Sequence, residues 1–466
     1  MKQISSCEFF ASARLSDLFV SVNRFAVPLM LTGILQLLYN AADSAIVGRF
    51  AGSEYLAAVG STTHIVFLLI TLFNGISIGA NYVVARCFGA DDSKGISEAV
   101  HCAAFLATVL GLCAGTFGFL MSGTVLRLVE TPEDVLPLST LYLKIYFLGV
   151  PFLVMYNFGA AILRAVKDTK FPLYVITFTG ILNVGLNVLL VVRFRMDVAG
   201  VAIATTVSQG VSAVMVFLRL ALTKNAWKLI PGKIRPARRA TLEMIRVGLA
   251  SGLQGLVFSV ANVMIQSRVN TFQASAMAGN TAANSLESFI HTAQNAYYQA
   301  AITFTSQAIG AKQKKQVIPI FWACIISGTV LGWVLCAALW IFREQLLHIY
   351  IKRSDPNYSA VLQTGFTRVA VIGRFQWVGG LMEITCGSLR GLGMTTNPTA
   401  TTLIGCCALR VAWIFTVFAL FRTLQSLYIS IPISWILTFG VHIFFLLRWK
   451  KQNFGTVWRI CRAKHL

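Results

Sequence analysis

The chain is dominated by apolar stretches of membrane-spanning length, which recur along its 466 residues. An α-helix needs about 20 mostly apolar residues to cross the hydrocarbon core of a bilayer. In water such stretches would leave a large apolar surface exposed, whereas in a bilayer they form the lipid-facing wall and helices satisfy the backbone groups. Hydrophobic residues make up 56% of the chain and charged residues 12%, against roughly 45–50% and about 25% in soluble domains. The sequence therefore predicts an all-α integral membrane protein.

Twelve transmembrane spans are predicted from the apolar runs between polar segments. They fall near residues 24–48, 55–85, 96–122, 137–164, 171–193, 199–222, 242–270, 277–309, 317–342, 358–389, 397–421 and 425–448. The preceding segment, 1–23, contains Glu8, Arg14 and Asp17 and lacks the apolar core of a cleaved signal peptide. We expect this segment to be cytoplasmic, and an amphipathic helix on the membrane surface would suit it.

The net charge of +22 follows the predicted topology. Basic residues gather in alternate connections, most densely in 223–241 and in the tail 450–466, while the intervening connections mix bases with acids. This distribution is the positive-inside pattern of inner-membrane proteins and places both termini in the cytoplasm. The basic excess would also attract anionic lipid. We therefore expect membrane lipids, and no nucleic acid, as partners.

The two halves of the chain resemble each other. The segment LRAVKDTKFP at 163–172 matches LRGLGMTTNP at 389–398, and RFAVPLMLTGILQLLYN at 24–40 aligns with RVGLASGLQGLVFSVAN at 246–262. Repeats displaced by about 222–226 residues predict a duplicated six-helix unit. The predicted organisation is a bundle over 24–222, a basic cytoplasmic linker over 223–241 and a second bundle over 242–449.

Three carboxylates fall within predicted spans, where an ionisable residue is costly and suggests function. Asp43 shares a helix face with Asn40 and is predicted to bind a proton or a cation, the alternative being a structural pair with Arg49. Glu287 could attract a cationic substrate or titrate, or it could make a packing hydrogen bond. For Glu383 a local charge pair with Arg390 is the favoured interpretation. His291, one turn after Glu287, is the one histidine of functional interest.

Other polar side chains suggest a cation site in the first half. Asn183 and Asn187 lie four residues apart on one helix face, and Thr205 follows in the sixth span. Amide and hydroxyl oxygens can bind a hard cation, although such groups often form interhelical hydrogen bonds instead. The ten cysteines form no CxxC pair or Cys/His cluster, so we expect free thiols and no metal site. No nucleotide or catalytic motif occurs in the sequence, which predicts a transporter driven by an ion gradient, without a cofactor, rather than an enzyme.

These features together resemble the MATE family, the multidrug and toxic compound extrusion antiporters. The resemblance covers roughly 24–449 and rests on Pro28, Asp43 and Gly48 of the first span, on the two LR…P segments and on the two six-helix halves. It implies two pseudo-symmetric six-helix bundles arranged as a V. It also implies export of drugs or organic cations in exchange for H⁺ or Na⁺, in the inner membrane of a bacterium. The expected protein is monomeric.

The resemblance also implies roles for individual residues. Asp43, Asn183 and Thr205 match members of a coupling-ion site in the N-terminal lobe, and Asn187 stands where that site commonly has a second Asp. Phe258 stands where another branch has a Glu. Loss of one carboxylate should weaken Na⁺ binding, which favours H⁺ as the coupling ion. We expect the substrate, an amphipathic and cationic compound, to contact polar residues within the spans, namely Gln36, Asn40, Asn262, Glu287 and His291.

Two alternative functions would each need features beyond those of an exporter. A lipid-linked oligosaccharide flippase of the same superfamily would need a strongly basic path for a pyrophosphate group. The bases within spans are few, namely Lys144, Arg368, Arg374 and Arg410. An integral-membrane transferase would need a catalytic constellation that the sequence does not contain.

Overall fold

The computed structural model describes residues 6–46, 53–350 and 357–463, and within these ranges all regular structure is helical. The helices in chain order are α1 (Ser6–Ser12), α2 (Leu15–Ile46), α3 (Ser53–Gly89), α4 (Ser93–Leu128), α5 (Leu136–Ala165), α6 (Lys170–Asn187), α7 (Asp197–Leu222), α8 (Arg238–Val269), α9 (Ala274–Gly310), α10 (Val317–Ile341), α11 (Arg343–His348), α12 (Tyr358–Val371), α13 (Gln376–Gly391), α14 (Thr396–Thr402), α15 (Leu409–Phe415), α16 (Val417–Leu420) and α17 (Leu424–Ala463). Short π-helical turns occur at Val188–Arg193 and Leu403–Ala408, and short 3₁₀ turns at Pro231–Lys233, Lys314–Gln316 and Gly373–Phe375.

All twelve predicted spans have helical counterparts. Within the described ranges, 10 helical stretches are long and apolar enough to cross a bilayer. The other two predicted spans, 277–309 and 358–389, correspond to α9 and to α12 with α13. Helix α9 has 37 residues and would be long enough, but it carries many Asn, Ser, Thr and Gln side chains. Helices α12 and α13 are separated by the 3₁₀ turn at Gly373–Phe375, so neither piece alone reaches spanning length.

The first and last long helices extend beyond the predicted spans 24–48 and 425–448. Helix α2 begins at Leu15, inside the segment predicted to precede the first span. The Asp17 side chain accepts a hydrogen bond from Arg14 N at 3.0 Å, which caps the start of this helix. Helix α17 continues to Ala463, through most of the predicted tail 450–466.

The chain forms two compact units. Unit 1 comprises Met1–Ser12, Arg24–Gly255 and Ser306–Gln313, and unit 2 comprises Ala13–Asn23, Leu256–Thr305 and Lys314–Leu466. These units follow the predicted halves over most of the chain, but the first part of α8 belongs to unit 1. The basic connection 223–241 also lies in unit 1, where the Ile230 N–H donates to His101 Nε2 at 2.9 Å.

Small residues allow close helix packing within unit 1. A Cβ atom at Gly111 of α4 would lie 2.8 Å from Pro151 Cα of α5, and Gly115 meets the same stretch of α5. Such glycine contacts let the helix backbones pack closely. Close packing matters in a membrane because the hydrophobic effect does not drive helices together in lipid. The interior of unit 2 is built around buried aromatic and aliphatic side chains, among them Tyr428, Leu427 and Trp435. The 8 cysteines whose side chains the structure describes are free thiols, as predicted: Cys87, Cys102, Cys113, Cys324, Cys336, Cys386, Cys406 and Cys407.

Candidate functional site

In unit 1, Asp43 near the end of α2 is hydrogen-bonded to α6. Asn187 Nδ2 lies 2.6 Å from Asp43 Oδ1 and 3.2 Å from Asn183 Oδ1. Asn187 is completely buried and Asn183 nearly so, while Asp43 is half-buried. In this arrangement the NH₂ group of Asn187 donates to the carboxylate of Asp43 and to the amide oxygen of Asn183. We call these three residues the unit-1 acid site: one carboxylate and two amides.

A glycine on α6 lets α2 come close enough to form this site. A Cβ atom at Gly180 would overlap the ring of Tyr39 on α2. The Tyr39 hydroxyl donates to Thr177 O at 3.3 Å, which holds the two helices together nearly two turns before Asn183. The regular α-helix then ends at Asn187, and the π-helical turn Val188–Arg193 follows. Such turns are frequent at functional sites because they redirect side chains.

Thr205 is the one predicted ion ligand that the structure does not join to the others. It lies half-buried on α7, and across the described ranges it has no hydrogen bond to the unit-1 acid site. Helix α7 is instead tied to α6 by Ser212, whose hydroxyl donates to Thr179 Oγ1 at 2.9 Å. Arg49, the alternative partner for Asp43, lies outside the described residues.

In unit 2, Glu287 forms a buried ion pair with Arg368. Arg368 Nη2 and Nε lie 2.8 Å and 3.1 Å from Glu287 Oε2, and the two residues are 8% and 4% exposed. Arg368 also donates to Asn280 and Asn284 of α9, at 2.7 Å and 2.8 Å. The charge of Glu287 is therefore neutralised within the protein. This arrangement matches the packing alternative for Glu287 more closely than a lone carboxylate facing substrate.

Glu383 is hydrogen-bonded to His291, a partner that the spacing along the sequence did not predict, and it also interacts electrostatically with Arg390. His291 Nε2 lies 2.9 Å from Glu383 Oε1, and 49% of the His291 side chain is exposed. Arg390 instead donates to the hydroxyl of Tyr298. Residues on a facing helix can lie closer than residues two turns away on the same helix, and spacing along α13 could not reveal this.

The remaining predicted substrate contacts are accessible. Gln36 and Asn40 are exposed on α2 in unit 1, and Asn262 is exposed on α8 in unit 2. Asn262 Oδ1 accepts a hydrogen bond from Arg410 Nη1 at 3.2 Å. Sequence reasoning named Arg368 and Arg410 only as bases within spans and gave them no role. An ionisable residue within a span suggests function whether it is an acid or a base, so the same argument would have identified both arginines as candidate functional residues.

Comparison with known proteins places the chain in a family. The family model described as MatE matches residues 28–189 and 250–416. A probable multidrug resistance protein of Bacillus subtilis, YpnP, is 30% identical over 71% of this chain and 74% of its own length. The probable multidrug resistance protein NorM of Thermotoga maritima is 25% identical over 86% of this chain and 85% of its own length.

Solved structures share the fold at low sequence identity. The outward-facing conformation of a multidrug resistance MATE family transporter superposes with a TM-score of 0.86 at 20% identity, covering 98% of this chain and 100% of that one. A MOP superfamily transporter from Pyrococcus furiosus superposes with a TM-score of 0.88 at 20% identity, covering 97% and 100%. With the match to the family model over both halves, these similarities lead to one conclusion: the chain belongs to the MatE family of membrane transporters.

Proposed function

We propose that this protein exports amphipathic organic compounds across the cytoplasmic membrane of a bacterium in exchange for protons. Membership of the MatE family and the multidrug resistance names of its bacterial relatives support export of such compounds. The basic residues in alternate connections support cytoplasmic termini. We assign the protein no cofactor and no catalytic chemistry, and we expect it to act as a monomer surrounded by lipid.

The orientation of the Asn187 amide is the observation that supports proton coupling. A bound Na⁺ ion needs several oxygen ligands, whereas a proton needs one basic oxygen. Between Asp43 and Asn183 the protein presents the NH₂ group of Asn187, which donates to both oxygens. A cation in that position would face a hydrogen-bond donor instead of a ligand. A proton on Asp43 requires no such ligand set.

The predicted substrate contacts remain part of this proposal. Gln36, Asn40, Asn262 and His291 are exposed enough to meet a ligand, whereas Glu287 would act through its pairing with Arg368. Thr205 stays a proposed contributor to the coupling-ion site. The flippase alternative gains nothing from Arg368, because Glu287 already neutralises its charge.

Asp43→Asn is expected to abolish proton-driven efflux while leaving the protein folded. The substitution keeps the acceptor oxygen for Asn187 but removes the group that takes up a proton. The measurement is efflux of ethidium from proteoliposomes after a pH jump. Asp92→Asn is the matched control, because Asp92 caps α4 and asparagine caps equally well. Near wild-type efflux by Asp43→Asn would contradict the coupling role.

Asn187→Asp is expected to make efflux sensitive to Na⁺. The substitution replaces the NH₂ donor by an oxygen and adds a second carboxylate, so the pair titrates jointly and can hold a cation. Efflux would be measured against Na⁺ concentration at fixed pH, with the exposed Asn225→Asp as control. We expect little Na⁺ response in the unmodified protein. Strong Na⁺ dependence there, without a response to a proton gradient, would refute the proton assignment.

Glu287→Gln is expected to destabilise the protein by about 3–5 kcal/mol, because it leaves the Arg368 guanidinium buried without a counter-charge. The double substitution Glu287→Gln with Arg368→Met should recover much of this loss. Thermal unfolding of the detergent-solubilised protein measures both effects. If the single variant were fully stable and lost only cationic substrates, Glu287 would instead act directly on the substrate.

A further inference from the structure

Unit 2 contains an arginine that is buried without a carboxylate partner. Arg410 is 1% exposed at the start of α15. Its Nε donates to Ser434 Oγ at 2.9 Å and its Nη1 to Asn262 Oδ1 at 3.2 Å, while Nη2 has no hydrogen-bond partner among the described residues. The ion pairs within the described ranges include none for Arg410. Its polar neighbours are thus one hydroxyl and one amide, both neutral.

Arg368, in the same unit, has the negatively charged partner that Arg410 lacks. Its guanidinium is paired with Glu287 and bound by two asparagines, so the charge is compensated. Hydrogen bonds connect both arginines to α8, Arg410 directly and Arg368 through Asn280. Asn262 binds Arg410, and one turn later Gln266 Oε1 accepts from Asn280, which in turn binds Arg368. Glu287 compensates the charge of Arg368, and no ion pair among the described residues does the same for Arg410.

A buried cation without a counter-charge is costly, by several kcal/mol even after relaxation of its surroundings. Two hydrogen bonds and two aromatic rings lower this cost, but none of these groups carries a negative charge. The thiols of Cys406 and Cys407 interact electrostatically with the guanidinium, but they supply no negative charge in their neutral form. An anion brought by a ligand would remove the cost. We therefore expect the guanidinium to bind a negatively charged group.

The surroundings of Arg410 also favour an aromatic ligand group. The guanidinium carbon lies 5.0 Å from the ring centroid of Phe258 and 5.9 Å from that of Trp435. Phe258 is only partly buried, and Asn262, one turn later on α8, is exposed. A ligand arriving on this face of α8 meets an amide, an aromatic ring and then the guanidinium. Displacing the Asn262 oxygen would free Nη1, which together with Nη2 forms the bidentate fork that carboxylates accept.

The internal repeat relates this place to the unit-1 acid site. Asn262 aligns with Asn40, and Arg410 falls in the stretch that matches Asn183 and Asn187. One copy of the duplicated site thus carries a carboxylate, Asp43, and the other carries a guanidinium. The two copies present opposite charges.

We propose that Arg410 and Asn262 bind an anionic group, a carboxylate next to an aromatic ring, on a compound that the protein transports. That the compound is transported rests on the proposed function, whereas its binding to Arg410 and Asn262 does not.

The test uses rhodamine B and its ethyl ester, which share one fluorophore and differ in whether the carboxylate is free. Fluorescence polarisation titrations with the purified full-length protein in detergent measure both affinities without any ion gradient. We expect the unmodified protein to bind rhodamine B more tightly than the ester by about tenfold or more, as a charge-assisted hydrogen-bond pair would give. Arg410→Gln should remove this preference, because the variant lacks the guanidinium that distinguishes a free carboxylate from its ester.

A second variant keeps the proposal testable if Arg410→Gln fails to fold. Asn262→Asp places a carboxylate on Arg410 and should also abolish the preference, because the anion site is then filled from within. Asn270→Asp is its matched control, since Asn270 is exposed just beyond the end of α8 and accepts a hydrogen bond from Gln266 rather than from Arg410. Equal affinities for the two rhodamines in the unmodified protein, or a preference that survives in Asn262→Asp, would overturn the proposal.

Failure of the proposed function would look different. If a proton gradient drives efflux of the ester but binding shows no carboxylate preference, the anion site is refuted and proton-coupled export stands. If the carboxylate preference depends on Arg410 but neither dye leaves proteoliposomes under a proton gradient, the anion site stands and proton-coupled export is refuted.

Discussion

Polar groups that lie away from water need hydrogen-bond or ion-pair partners within the protein, and the rest of this structure depends on that requirement. In the bilayer an unpaired backbone or side-chain group costs several kcal/mol, so helices supply the backbone partners and polar side chains must find each other. Asp43 meets the amide of Asn187, Glu287 meets Arg368, and His291 meets Glu383. The polar residues therefore form a few small clusters inside an otherwise apolar protein.

Small residues and helix irregularities place these clusters. Gly180 lets the ring of Tyr39 lie against α6 and so brings Asp43 to the asparagines. The π-helical turn after Asn187 and the one shortly before Arg410 each adjoin a polar cluster. The 3₁₀ turn at Gly373–Phe375 interrupts the tenth span close to Arg368. Regular helices thus form the scaffold, and departures from regularity occur where charged or amide groups are held.

Prediction from the sequence succeeded where the information is local. Apolar runs located the helices to within a few residues at most ends, and the four-residue spacing of Asn183 and Asn187 placed both amides on the face that meets Asp43. Partners on other helices could not be found this way. Glu287 and Arg368 are 81 residues apart and His291 and Glu383 are 92 apart, and no local pattern links them. The irregular turns were also missed, because tertiary contacts rather than helix propensity decide them.

The most direct measurement of the central claim is the protonation of Asp43 itself. Infrared difference spectroscopy of the protein in liposomes, recorded across a pH titration, detects the carbonyl stretch of a protonated carboxylic acid. Proton coupling through Asp43 predicts such a band that grows as pH falls, is insensitive to Na⁺ and is missing in Asp43→Asn. A band unchanged in Asp43→Asn, or one that Na⁺ removes at constant pH, would contradict the account.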